Sequence, residues 1–262
     1  MNIIERLFLK VMLERASKRN IKEYPQMICF AHDAISRKIF IDGLFEKREL
    51  EVLKVFLQKE IKSFDTCLDI GANIGNHSLF FSTIFNQVVS FEPNSKTFKV
   101  LSLNADLTKN VLAVNVGIGI EKATLKAFVN PLNIGGAAIN DSSESNIEFK
   151  IVALDEYLKE NPSPSISFIK IDVEGHELKA LQGASDTLKI HHPILALELH
   201  VKKERTQSED ILEFLEQRGY GYAHVFKSNF FKRSKSKFIK IPINEFNRLS
   251  KKNHKMVLFT IQ

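Results

Sequence analysis

Residues 65 to 78 read Asp65-Thr-Cys67-Leu-Asp69-Ile-Gly71-Ala-Asn73-Ile-Gly75-Asn76-His-Ser78. An apolar run closing on Asp69, a loop punctuated by two glycines and a helix-compatible sequel spell a strand, a tight turn and a helix start. Glycine at 71 and 75 lets backbone N–H groups come close to a ligand, and the mouth of the new helix adds unpaired donors and positive partial charge. A small ligand bearing a carboxylate fits such a turn.

The chain then rises through Gln87-Val-Val-Ser-Phe91 and stops at Glu92-Pro93. This is a second strand with an acidic tip, and in a doubly wound sheet that tip stands beside the first loop, where a carboxylate accepts the hydroxyls of a ribose. Each hydrogen bond to a charged acceptor contributes about 1.5–3 kcal/mol, which makes Glu92 an anchor for an adenosine-containing ligand. The dinucleotide fingerprint Gly-x-Gly-x-x-Gly is not met, because Asn73 stands where its second glycine belongs. No seat for a pyrophosphate is evident.

Farther on, Phe168-Ile-Lys-Ile-Asp172-Val-Glu174-Gly-His176-Glu177 runs from strand into loop. Ile169 and Ile171 share one face of that strand, Asp172 stands at its mouth, and Gly175 permits the turn into a helix. Glu198 and His200 end the next strand and point to the same side if it stays regular. They read as a second proton-handling pair or, with Asp172, as a divalent-metal site; a strand-end charge satisfied by a loop is the plainer alternative, and no dedicated metal centre is expected. His176, neutral near pH 7, reads as a candidate base, with a capping role as its alternative.

Together, the loop at 69–75, the Phe91-Glu92-Pro93 tip and the segment at 168–177 resemble the FkbM-type family of S-adenosylmethionine-dependent methyltransferases, in the expected order over roughly residues 45 to 200. The resemblance implies a Rossmann-like α/β fold: a doubly wound, mostly parallel seven-stranded sheet with an antiparallel C-terminal strand. It implies S-adenosyl-L-methionine as cofactor, held by Asp69, Gly71, Asn73, Gly75, Asn76, Ser78, Glu92, Pro93 and Asp172, with the adenine edge at Asn115, Val116 and Gly117. Asp172, Glu174, His176, Glu198 and His200 then become the catalytic candidates. A sugar hydroxyl in a surface glycan or secondary metabolite is the acceptor implied, and the Leu44-Phe-Glu46 segment falls beside the cofactor entrance.

Around these motifs the chain alternates strand and helix: a strand to Ile70, a helix from Asn76, strand 87–91, helix 95–107 and strand 111–117, the βαβαβ order of a parallel sheet with right-handed crossovers. Strand-like 123–129 and 147–154 flank a small polar loop and read as an inserted hairpin. A fourth core strand, 166–171, and a fifth, 193–199, follow, then a helix near 207–217 and late strands at 222–226, 237–241 and 256–261. Residues 1–45 are expected to form an extension and 46–262 the catalytic domain. In that extension, Ile4, Leu7, Phe8 and Val11 form one helical stripe, and Met27–Phe30 with Arg37–Ile41 reads as a short hairpin about His32-Asp33. The helix suits packing on the domain or a homodimer interface; its basic end also suits a peripheral membrane contact.

Lys and Arg outnumber Asp and Glu by 37 to 31, a balance that favours an anionic partner such as an acidic glycan acceptor. The basic run from Lys232 to Lys237, beside Phe230 and Phe231, admits nucleic-acid methylation as an alternative, yet no base-reading module accompanies it. A pocket that binds without turnover is the non-enzymatic alternative. Cys29 and Cys67, far apart and in apolar settings, suit a reducing compartment, and with neither a secretory leader nor a spanning segment evident the expected location is the cytoplasm.

Overall fold

The computed structural model describes residues 1–31, 33–129, 137–139, 147–199, 205–228, 236–246 and 253–261. Helices α1 (Ile3–Glu23), α2 (Ala34–Asp42) and α3 (Lys47–Glu60) precede the sheet. The core then runs β1 (Thr66–Ile70), α4 (Asn76–Ser82), β2 (Gln87–Phe91), α5 (Ser95–Ala105) and β3 (Val111–Val114). A small insertion follows: β4 (Gly117–Ile118), β5 (Ala123–Val129), β6 (Ala137–Ile139) and β7 (Ile147–Val152). The chain re-enters the core through α6 (Leu154–Glu160), β8 (Ile166–Ile171), α7 (Glu177–Gln182), α8 (Ser185–His191) and β9 (Ile194–Leu199). It closes with α9 (Arg205–Glu216), β10 (Tyr220–Lys227), β11 (Lys237–Pro242), a single 3-10 turn (Ile243–Glu245) and β12 (His254–Ile261).

The main sheet has the order β11-β10-β12-β9-β8-β1-β2-β3. β1, β2, β3, β8 and β9 are mutually parallel, and β12 runs antiparallel between β9 and β10. This is the expected doubly wound arrangement with β11 added as an eighth, edge strand. All five residues of β1 are buried, as a strand covered on both faces requires. On one face lie Leu68, Ile70, Ile169, Ile171, Leu195 and Leu197; the opposite face packs Cys67, Phe168 and Ala196 against Phe80, Phe81 and α3. Leu50, Leu53 and Leu57 of α3 are fully buried there, each contributing about 1.5–3 kcal/mol of hydrophobic stabilisation.

The inserted pair forms as expected, β5 antiparallel to β7 with Leu125 opposite Phe149; β6 and β4 extend it to a separate four-stranded sheet. Most of the polar loop expected between the two arms, like residues 232–235 of the basic run, lies outside the described residues.

The N-terminal extension departs from expectation. The two arms of the expected hairpin do not pair as strands: the second is helix α2. Asp33 accepts the Ile35 N–H at 3.0 Å and so caps that helix, and Gly43, at φ +86°, ends it in a left-handed residue. Residues 27–30 take no regular structure; the Ile28 backbone instead bonds the Asn104 side chain through both its N–H (2.7 Å) and its carbonyl (2.9 Å). Helix α1 forms where the stripe places it, opened by a capping box of Asn2 and Glu5; none of its residues is buried, and its C-terminal end rests against α2 and α3.

Candidate active site

Parallel register brings the site together before any loop does. Asp69 of β1 lies beside Lys170 of β8 and Ser90 of β2, so all three side chains share one face of the sheet. Lys170 is only 5% exposed and Asp69 not at all. The ammonium sits 3.1 Å from Asp69 Oδ1, 3.6 Å from Asp172 Oδ2 and 3.0 Å from the Gly71 carbonyl, to which it donates. Asp69 Oδ2 accepts the Ser78 hydroxyl at 2.6 Å; Oδ1 has no hydrogen bond of good geometry and is held by the ammonium's charge. Burial alone would depress Lys170, but Asp69 and then Asp172 outweigh it and hold the amine well above its usual value. Asp69 and Ser78 are thus internal struts that fix the floor of the site.

Gly71 has a structural duty beyond its turn. At φ +78° it passes so close to β8 that a Cβ there would stand 1.9 Å from the Asp172 carbonyl oxygen. Its N–H donates to Phe91 O (3.0 Å), and that of Gly75 to Ala72 O (2.9 Å), so neither offers this donor to a ligand. Asn76 likewise looks inward: it exchanges two hydrogen bonds with the Phe45 backbone (2.9 and 3.1 Å) and pins the segment before α3 against the first loop.

Glu92, at the tip of β2, is buried and heavily bonded. Oε2 accepts the Asn73 N–H (2.9 Å), while Oε1 accepts the Asn94 N–H (2.9 Å) and the Thr97 hydroxyl (3.0 Å). Burial pushes its carboxyl up, and the hydrogen bonds from Asn94, Thr97 and Asn73 oppose that rise. A carboxylate offers about four lone-pair sites, so one on Oε2 is left for a ligand. The geometry therefore suits one ribose hydroxyl on Oε2 rather than two on the carboxylate. Asn115 steadies this tip by donating to the carbonyls of Glu92 (2.8 Å) and Pro93 (3.3 Å).

The turns after β1, β2 and β8 open onto one cavity of about 300 Å³. Gly71, Asn73, Glu92, Pro93, Gly117, Asp172, Glu174 and His176 line it; Asp69, Gly75, Asn76, Ser78, Asn115 and Val116 do not. The inserted sheet supplies an apolar wall of Ile118, Leu125, Phe149 and Ile151. Glu174 (φ +50°) and Gly175 (φ +93°) turn left-handed in succession. Glu177 braces that turn by accepting the N–H groups of Val173 (3.3 Å) and Gly175 (3.1 Å), and His176 occupies the N-cap of α7.

Asp172 also faces a small crevice on the side of α3, where Glu46, His77, Lys170, Glu198 and Lys255 meet the apolar Ile171, Leu197 and Met256. Alternation along β9 puts Glu198 opposite Leu197 and Leu199, hence on the Asp69–Lys170 face. Burial, then the charge of and hydrogen bond with Asp172, push the Glu198 carboxyl up to about 8. Glu46, itself left-handed at φ +55°, reaches Lys255 Nζ at 3.0 Å and stands 3.6 Å from His77 Nε2. That separation is too long for a hydrogen bond, and burial pushes the His77 imidazole down, so the ring is neutral near pH 7. His200 lies outside the described residues. Among the described residues no group of three His, Cys, Asp or Glu side chains is placed to share a metal ion.

Lys170, Thr97 and Lys255 were not singled out from sequence. Lys170 had a legible signal: a lone cation amid Ile-Ser-Phe-Ile-Lys-Ile in a strand buried on both faces needs a carboxylate partner, and Asp69 occupies the matching place in β1. Thr97 and Lys255 had none.

A family model described as the methyltransferase FkbM domain matches residues 69–222. Hexuronic acid methyltransferase AglP of Haloferax volcanii is 32% identical over 142 residues, 54% of this chain and 58% of its own length, so the chain spans little more than half of that relative. Methyltransferase 1 of Beauveria bassiana is 26% identical over 167 residues, 50% of this chain and 67% of its own. The crystal structure of methyltransferase FkbM from Methylobacillus flagellatus superposes with a TM-score of 0.49 at 16% identity, covering 85% of this chain and 52% of that one.

Proposed function

The chain belongs to the FkbM methyltransferase domain family, and on that premise we propose that it transfers a methyl group from S-adenosyl-L-methionine to a hydroxyl oxygen of a sugar. One observation carries this reading: three turns, at Gly71–Asn73, Glu92–Pro93 and Asp172–His176, converge on a single cavity. Open α/β sheets present ligands at the carboxyl ends of their strands in this way.

The residues fit the donor. Glu92 Oε2 retains an acceptor site for a ribose hydroxyl. Ile118, Phe149 and Ile151 offer an apolar slot beside Pro93 and Gly117 for an adenine ring. Glu92, Glu121, Asp172 and Glu174 against Lys179 make the lining acidic on a chain whose formal charge is +6. Such a lining attracts a cation, as the sulfonium of the donor is.

When bound, S-adenosylmethionine supplies an activated methyl on a sulfonium. The chain's contribution is chiefly placement, since fixing both reactants can lower the barrier by roughly 7–11 kcal/mol, whereas a general base supplies about 10²–10⁴ in rate. Lys170, itself anchored on the Gly71 carbonyl, and the Ile70 carbonyl, which accepts the Asp172 N–H at 3.0 Å, hold Asp172 at the junction of the cavity and the crevice. Once Glu198 has lost its proton, near pH 8, the Asp172–Glu198 pair accepts the proton that the sugar hydroxyl gives up; His176, on the cavity wall, is the competing base. A uronic acid is the acceptor class favoured by the likeness to a hexuronic acid methyltransferase.

The test is transfer of labelled methyl from S-adenosylmethionine to a panel of uronic acid glycosides, neutral glycosides and RNA. Label in a sugar ether supports the proposal. Label confined to RNA overturns it, and so does cofactor binding with no demethylated product from any acceptor, the outcome of a non-catalytic module.

A further inference from the structure

Helix α1 is the largest feature that the catalytic reading leaves unused. Twenty-one residues long, it buries none of them. Ile3, Ile4, Leu7 and Phe8 are between 63% and 85% exposed, and Leu9, Val11, Met12 and Leu13 are exposed as well. Its hydrogen bonds and ion pairs to the rest of the described residues sit at its C-terminal end, where Arg19 donates to Ile41 O (2.5 Å), Asn20 donates to Phe40 O (3.4 Å) and Glu23 stands 3.4 Å from Lys47 Nζ. Those carbonyls belong to α2, whose Phe40 and Ile41 side chains are themselves about half exposed.

The apolar stripe does not end at Val11; it changes character. Residues three and four apart share a helix face, so the line Leu7-Val11 continues through Arg15 and Lys18 to Lys22, all exposed. One face is therefore apolar over its first three turns and cationic over its last two. That axial segregation selects among occupants. Two copies paired in parallel would bring cation onto cation, and paired antiparallel would lay each apolar half against the other's basic half. A lipid surface satisfies both halves at once, with the apolar turns among acyl chains and the basic turns among anionic headgroups. No helix among the described residues is long and apolar enough to cross a membrane, so the contact is interfacial.

We propose that α1 docks the protein on an anionic lipid surface, with Ile3, Ile4, Leu7 and Phe8 inserted and Arg15, Lys18 and Lys22 at headgroup level. The test is co-sedimentation of the full chain with phosphatidylcholine vesicles, alone or with phosphatidylserine as about a third of the lipid. We expect binding to the mixed vesicles that weakens in high salt. A basic side chain at such a surface contributes about fivefold to partitioning, so Arg15→Gln/Lys18→Gln/Lys22→Gln should lower it about a hundredfold. Leu7→Glu/Phe8→Glu should leave the chain in the supernatant. Because α1 buries nothing, both variants should keep the wild-type melting temperature, which separates lost docking from misfolding. The proposal is overturned if the wild type stays in the supernatant with both vesicle types, if its binding is indifferent to phosphatidylserine and to both variants, or if light scattering shows a dimer that Leu7→Glu/Phe8→Glu dissolves while vesicles are ignored.

Discussion

Replacing Lys170 by Met tests the physics of the site floor without touching the cavity wall. The ammonium lies 3.1 Å from Asp69 Oδ1 and 3.6 Å from Asp172 Oδ2 and is almost wholly buried. At an effective dielectric of about 20, each attraction is worth about 5 kcal/mol, most of which is offset by the cost of removing the charges from water. The intact cluster therefore contributes little net stability, whereas a Met at 170 leaves the fully buried Asp69 carboxylate without its cation. That costs about 3–5 kcal/mol, and at roughly 2–4 °C per kcal/mol for a chain of this size the melting temperature should fall by roughly 10 °C. Urea unfolding followed by circular dichroism gives the free energy directly. In Asp69→Asn/Lys170→Met both charges are gone, so the double variant should be at least about 1.5 kcal/mol more stable than the two single effects summed. A single variant within about 0.5 kcal/mol of wild type, or strict additivity, would refute the reasoning.

Glu92→Gln keeps the shape but removes the charge that Asn73, Asn94 and Thr97 surround, so calorimetry should show S-adenosylhomocysteine binding weakened by about 10- to 100-fold, the loss of a charge-assisted hydrogen bond. Because the Glu198 carboxyl is raised to about 8, it is protonated at pH 7 and becomes a base only as pH rises. The rate kcat/KM should therefore climb through an apparent pKa near 8, and Glu198→Gln should remove that limb. Gly71→Ala forces a Cβ to 1.9 Å from the Asp172 carbonyl at a positive φ, which should destabilise the chain by about 2–4 kcal/mol in denaturant titration. Turnover should survive excess chelator undiminished if the Asp172–Glu198 pair handles its proton without a metal.

Strands β1, β2 and β8 were legible because each is an apolar, largely buried run that ends on a polar tip: Asp69 and Glu92 mark β1 and β2 as plainly as Asp172 marks β8. Short elements were not. Helix α2 has nine residues, and its cap Asp33 beside His32 reads equally as a turn; α6 has seven, and its acidic first turn of Asp155 and Glu156 is a weak sign. What one side chain does for another across the sheet was harder still. Gly71 looks like a ligand-facing glycine, yet its N–H serves Phe91 and its missing Cβ makes room for the Asp172 backbone. The isolation of α1 was illegible for a related reason, since an apolar stripe specifies that something should cover it and not what.

A co-crystal structure with S-adenosylhomocysteine tests the central claim most directly. The nucleoside should lie in the cavity between the turns after β1, β2 and β8, with a ribose hydroxyl on Glu92 Oε2, the adenine ring against Ile118 and Ile151, and the sulfur turned toward Asp172. Density for the ligand anywhere else on the protein, or in the cavity with the ribose away from Glu92, would contradict it.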